Sequence, residues 1–164
     1  MGYIAAVVDK HGQDASTQIL AMLNIASTGT AASYGVADHR DTEVTRKKPE
    51  FTSLSSPILI GSKNIHHNRY PEDPLSQTSC SLIFKGNLYD TTEPDTLAAA
   101  NQIENDPTKG IEELIQLRTG AYSIAAATHD SVILACDHLG TIPLYYGENS
   151  ETRAAATNKK MRMF

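Results

Sequence analysis

The stretch Cys136-Asp137-His138-Leu139-Gly140-Thr141-Ile142-Pro143-Leu144-Tyr145-Tyr146 decides how this chain is read. Its first residue ends a short apolar run, Ser131 to Cys136. Leu139-Gly140 is a turn signal, and Ile142 to Tyr146 reads as the next strand. Upstream, Ala121 to Thr128 is a third β segment, set off by the turn residues His129-Asp130.

Two helices are predicted before these strands. One covers Asp95 to Glu104. The other starts at Asp106-Pro107, a cap followed by proline at the first helical position. Its apolar face is Ile111, Leu114, Ile115 and Leu117. Before them, Thr78 to Lys85 reads as a strand that stops at the turn signal Gly86-Asn87. Pro57 to Gly61 is another strand, Ser62 to Ser76 a loop, and Asp38 to Ser56 a long loop or weak hairpin. At the start, Tyr3 to Asp9 reads as a buried strand and Ala32 to Ala37 as a further one. Between them Ile19, Met22, Leu23 and Ala26 fall at helical spacing, ending near Ser27 to Gly29. Ala154 to Thr157 predicts one more strand, and Asn158 the start of a helix. Helices segregated from mainly antiparallel strands make this an α+β fold.

The chain has 164 residues, which makes one domain. A domain of this size buries about 70% of its unfolded surface, enough for a core without staples. Lys plus Arg total 14 against 19 Asp plus Glu, a net charge of −5, so a mainly electrostatic grip on nucleic acid is not expected. The basic groups Arg46-Lys47-Lys48 and Lys159-Lys160-Met161-Arg162 read as solvated faces. No run approaches the roughly 18 apolar residues of a membrane span. Met1-Gly2-Tyr3-Ile4-Ala5-Ala6 lacks both the basic start of a secretory signal and the Ser or Thr that myristoylation prefers. Two cysteines, Cys80 and Cys136, are too few for a disulfide framework and point to a reducing cytosol. Both read as small buried hydrophobes.

Generic chemical motifs are sparse. His66-His67 are adjacent, without zinc-like spacing, and read as solvated loop residues. No Gly-rich phosphate loop is present. Asp95 has a bland reading as a helix cap.

The 136–146 stretch resembles the "RDxxGxxPLYY" run of asparagine synthetases, in their N-terminal class II glutamine amidotransferase domain. The resemblance continues in order along nearly the whole chain. Leu117 to Ala127 resembles "LxGxFAxAI", and Phe84 to Asp90 resembles "FNGEIYN". Pro94-Asp95-Thr96 resembles "SDTE", Ala156 to Lys160 resembles "ASExK", and Met1 to Val8 resembles "MCGIAGVV". It implies an N-terminal-nucleophile hydrolase fold, a four-layer α-β-β-α sandwich of two mainly antiparallel sheets between helices. Residues 1–164 would be one such domain, the N-terminal part of a longer asparagine synthetase-like protein.

Family members hydrolyse glutamine with a cysteine made N-terminal by removal of Met1. Here that position is Gly2, followed by Tyr3 in place of Gly. The oxyanion hole of the family is an Asn side chain and the N–H of the next Gly. Lys85 replaces the Asn and Gly86 is kept; losing one such donor costs about 10²–10³ in rate. Asn87 replaces an acidic residue that would greet the substrate ammonium. In the run that resembles "GHxR", Asn64 replaces the Arg that grips the substrate carboxylate, and Ser62 replaces the His. Asp95 keeps the type of the residue that binds the substrate α-amine. The resemblance thus implies a natural, degenerate glutaminase domain with no catalytic residue and a remnant pocket of Asn64, Lys85, Gly86, Asn87 and Asp95. No metal and no cofactor is expected in this domain. Its expected partner is an ATP-dependent synthetase domain, in cis or in trans. A small amino acid and a second copy of the chain are further candidates; nucleic acid and membranes are not. The alternative is a module that binds an amino acid or other small ligand in the remnant pocket. The other nucleophile-bearing residues weighed, Ser16, Thr78 and Cys80, have no place in the family's chemistry.

Overall fold

Along Tyr3–Asp9 (β1), Ile4 and Ala6 point to one side and Ala5 and Val7 to the other, and all four are buried. A strand buried on both faces lies between two layers. The computed structural model, which describes residues 2–25, 33–65 and 73–159, supplies both.

β1 pairs antiparallel with Ile58–Asn64 (β4) on one side and Thr152–Ala156 (β10) on the other. Ser33–Ala37 (β2) and Thr42–Thr45 (β3) extend the sheet past β4. Tyr145–Glu148 (β9) closes the other edge, giving the order β3-β2-β4-β1-β10-β9. The second sheet takes Leu75–Ser76 (β5), Ser81–Leu88 (β6), Gly120–Ala127 (β7) and Val132–Cys136 (β8), in chain order. Every pairing between described strands is antiparallel.

Period-two alternation sorts the apolar side chains into three cores. Ser16–Ile25 (α1) lays Ile19, Met22 and Leu23 on the outer face of the first sheet, against Ala5, Val7 and Leu59. Asp95–Ile103 (α2) and Pro107–Leu117 (α3) cover the outer face of the second sheet, with Ile103, Ile111 and Leu114 against Leu82, Phe84 and Ile124. Between the sheets, Ile4, Ala6 and Ile60 meet Ile83, Ala125 and Ala127. This is the four-layer α-β-β-α order expected from the resemblance. Asp106 caps α3 through the N–H of Lys109 at 3.1 Å, with Pro107 in the first turn, as its sequence predicts.

Four local expectations are corrected. Gly86-Asn87 does not end β6; its eight-residue ladder with β7 carries the strand through to Leu88. Ser62, Lys63 and Asn64 are not loop, because β1 and β2 pair with them from both sides. The last strand of the opening stretch starts at Tyr145 rather than Ile142, past Pro143, which has no N–H to give a ladder. Asp95 does not cap α2: Pro94 holds that position and Asp95 is the first helical residue. The 38–56 region holds a hairpin, β3 pairing back on β2, whose turn is closed by Asp38 accepting the N–H groups of Arg40 and Asp41. The helix end at 27–29, the pair His66-His67 and a helix beyond Asn158 lie outside the described residues.

Candidate functional site

The layer between the sheets is apolar over most of its extent and polar at one end. Asn64 and Ser62 continue the inward face of Ile58 and Ile60 on β4, and Lys85 continues that of Ile83 on β6. Ser33 stands opposite Asn64 in the β2–β4 register. Gly2 precedes β1 at the same end.

Lys85 is the centre of this group. Its side chain is 7% exposed and its ammonium donates to Asp73 Oδ2 and to Asn64 Oδ1. Asn64 in turn donates through Nδ2 to Ser33 Oγ at 3.1 Å. The Ser62 hydroxyl donates to the Asp73 carbonyl at 2.8 Å, anchoring the segment that carries the carboxylate. Asp73 is buried, and its Oδ1 has no hydrogen-bond partner among the described residues. Burial raises the Asp73 carboxyl above its ordinary range, and the Lys85 ammonium opposes this without cancelling it. Lys63, the neighbour of Asn64 in β4, points to the other face, with its ammonium 5.8 Å from the centre of the Tyr34 ring.

Gly2 is half-buried beside the Lys85 stem. A Cβ built on it would stand 2.9 Å from both Cδ and Cε of Lys85 and 3.0 Å from the carbonyl oxygen of Lys63. The lysine end is flexible in principle, but here two acceptors hold it. The structure thus brings Gly2, Asn64 and Lys85 together and adds Asp73, Ser62 and Ser33. Gly86 follows in β6 with a φ of 131°, against the backbone of Ala121. Asn87 is exposed. Asp95 is half-buried in the first turn of α2, and no hydrogen bond or ion pair among the described residues joins it to the Lys85 group.

Sequence reasoning missed Ser33 and, with more consequence, Asp73. It lies in a stretch read as loop, and neither periodicity nor spacing marks it. Its only signal is composition: an acidic residue next to Pro74, twelve positions before a lysine in an apolar strand.

The other nucleophile-bearing residues are elsewhere. Ser16 donates to Asp14 Oδ2 at 2.7 Å at the start of α1, Thr78 is exposed, and Cys80 is buried with its thiol pushed up by burial. Among the described residues no three His, Cys, Asp or Glu side chains are placed to hold a metal ion. No described helix is long and apolar enough to cross a membrane. A polar cleft of about 420 Å³ opens beside α2, between Asp90, Glu93, Asn101 and Arg118, and none of the Lys85 group lines it.

Helix, sheet, sheet, helix pair, with β1 central in the first sheet, is the fold of the N-terminal-nucleophile hydrolases. It is shared by a larger set of solved structures, two of them as follows. Glutamine phosphoribosylpyrophosphate amidotransferase from B. subtilis, complexed with ADP and GMP, superposes with a TM-score of 0.71 at 18% identity, over 94% of this chain and 41% of that one. A structure described as the allosteric regulatory enzyme of purine biosynthesis gives 0.66 at 19% identity, with the same 94% and 41%. The chain therefore spans about two-fifths of the length of these structures, which share its fold at low identity. No family model and no curated protein matches the sequence.

Proposed function

We propose that this chain is a degenerate glutaminase domain of an asparagine synthetase-like, ATP-dependent amide ligase. In this reading it hydrolyses no glutamine and serves as a structural or partner domain in the cytosol. The observation that supports it is the path of Lys85: its stem runs through the space that a side chain on residue 2 would need. The residue at the nucleophile's place has no side chain, and the residue at the oxyanion-binding Asn fills the gap. A ligase supplied with free ammonia or another amine needs no glutaminase. The partner is then a synthetase domain, in cis or in trans.

The reading is tested by incubating the protein with glutamine and measuring glutamate release. The expected result is no turnover above buffer. Turnover that stays proportional to the protein through successive purification steps overturns it.

A second reading, an amino-acid binding module, draws on Asp95, a half-buried carboxylate at the start of α2 that is outside the Lys85 network. It requires a thermal shift with at least one amino acid at millimolar concentration, and loss of that shift in Asp95→Asn.

A further inference from the structure

We propose that the polar end of the inter-sheet layer is a primary-ammonium site, filled in this chain by its own Lys85. This refines the reading of a silent pocket, on which it rests, by naming the chemistry of the group that fills it.

One acceptor comes from the first sheet, the other from the segment leading into β5, and the ammonium from β6. Asn64 belongs to the first sheet, and Asp73 lies just before β5 on a segment tied to Ser62. Lys85 reaches both from the second sheet. A carboxylate oxygen and an amide oxygen on one nitrogen match the donors of an ammonium group, which has three N–H bonds and no acceptor. Asp73 Oδ1, with no partner among the described residues, leaves acceptor capacity for a further N–H. The approach is narrow. The Lys85 Cδ and Cε pass 2.9 Å from where a Cβ of residue 2 would stand, so an unbranched stem fits beside Gly2. The site therefore selects an alkylammonium of the form R–CH₂–NH₃⁺. A quaternary ammonium has no N–H to offer, and its methyl groups are too wide for the passage.

Lys85→Ala deletes Cγ, Cδ, Cε and Nζ, the heavy atoms of propylammonium. The experiment follows thermal unfolding of the full chain, as wild type, Lys85→Ala and Lys85→Met, in n-propylammonium chloride, tetramethylammonium chloride or sodium chloride at matched concentration. The expected result is a saturable rise of several degrees in the Tm of Lys85→Ala with propylammonium alone. Wild type, whose site is occupied, and Lys85→Met, whose unbranched side chain blocks the passage, show none. Equal responses of Lys85→Ala to all three salts, or a response of wild type as large, overturn the proposal. If Lys85→Ala is unfolded in buffer, recovery of its folded circular-dichroism signal in propylammonium alone supports the site, and failure to recover in any salt overturns it. The glutamine assay reads wild-type turnover and this experiment reads amine binding to a variant, so either can fail while the other stands.

Discussion

Gly86 lies so close to the backbone of Ala121 that a Cβ on it would stand 2.0 Å from the Ala121 carbonyl oxygen and 2.6 Å from the Cα of Tyr122. The family resemblance makes this glycine a donor to an oxyanion, but strand packing alone already requires it. Its φ of 131° lies where L side chains are disfavoured. Gly86→Ala should therefore destabilise the fold by roughly 2–4 kcal/mol, with no chemistry involved. Gly12→Ala is the control. Its φ is 72°, but no atom lies within 4 Å of the added methyl. It should cost about 1 kcal/mol, the backbone penalty alone. Urea unfolding of both decides; equal losses would refute the packing argument.

Much of the fold is legible because its strands are buried on both faces. YIAAVVD, PILI and AYSIAAA are continuous apolar runs, and the turns between them carry Gly, Asp or Pro. The polar end of β4 is not legible. Ser62-Lys63-Asn64 has the composition of a loop and is strand only because β1 and β2 bracket it. Of the site, the sequence yields Gly2, Asn64 and Lys85 through the family resemblance. It yields little of Asp73, whose place is fixed by contacts with Ser62 and Lys85 rather than by any repeat along the chain. The contact of Lys85 with Gly2 is likewise a three-dimensional fact, since residue types at two distant positions do not say that one fills the space of the other.

Lys85 and Asp73 form a buried ion pair, and such pairs respond asymmetrically to mutation. Lys85→Ala leaves a buried carboxylate without its counter-charge and should cost about 3–5 kcal/mol at neutral pH. Lys85→Met combined with Asp73→Leu removes both charges and should come close to wild type or exceed it. Acid should narrow the deficit of the single variant. With Lys85 gone, Asp73 rises further above its unfolded value, so the folded state holds a proton that the unfolded state releases. Stability then falls as pH rises through that window and recovers as pH drops below the folded value. Denaturant melts of wild type, Lys85→Ala, the single variants Lys85→Met and Asp73→Leu and their double, at neutral and acidic pH, test this; losses of the two singles that add up to that of the double would show that the pair is not coupled.

Cys80 is fully buried, and desolvation raises its thiol, with only the neighbouring Ser79 opposing. A thiol held protonated is a poor nucleophile. Cys136 is half-buried on β8, at the edge of the second sheet. Under native conditions iodoacetamide should modify Cys136 at least about tenfold faster than Cys80. Peptide mass spectrometry over a time course reads both sites. Faster labelling of Cys80 would mean that the turn before β6 opens far more readily than its burial implies.

Asp137 holds the turn of the opening stretch to β7. Its carboxylate accepts the N–H of Tyr122 at 3.1 Å, the N–H of Leu139 at 2.9 Å and the Thr141 hydroxyl at 3.0 Å, and the Thr141 N–H lies within reach of both oxygens. Burial acts to raise this carboxyl, but these donors outweigh it and hold it below the ordinary carboxylate range. A carboxyl lowered by folding contributes stability that is complete above its unfolded value and lost as pH falls through its folded value. Asp137→Asn turns an NH₂ toward donors that need an acceptor, so it should cost about 1–3 kcal/mol at neutral pH. The variant lacks the titrating group, so its deficit should shrink in acid, as pH falls through the folded value of Asp137, where wild type loses the same contribution. Urea melts at neutral pH and in acid measure the difference. A deficit that stays constant across that range would show that the carboxylate's charge is not what secures the turn.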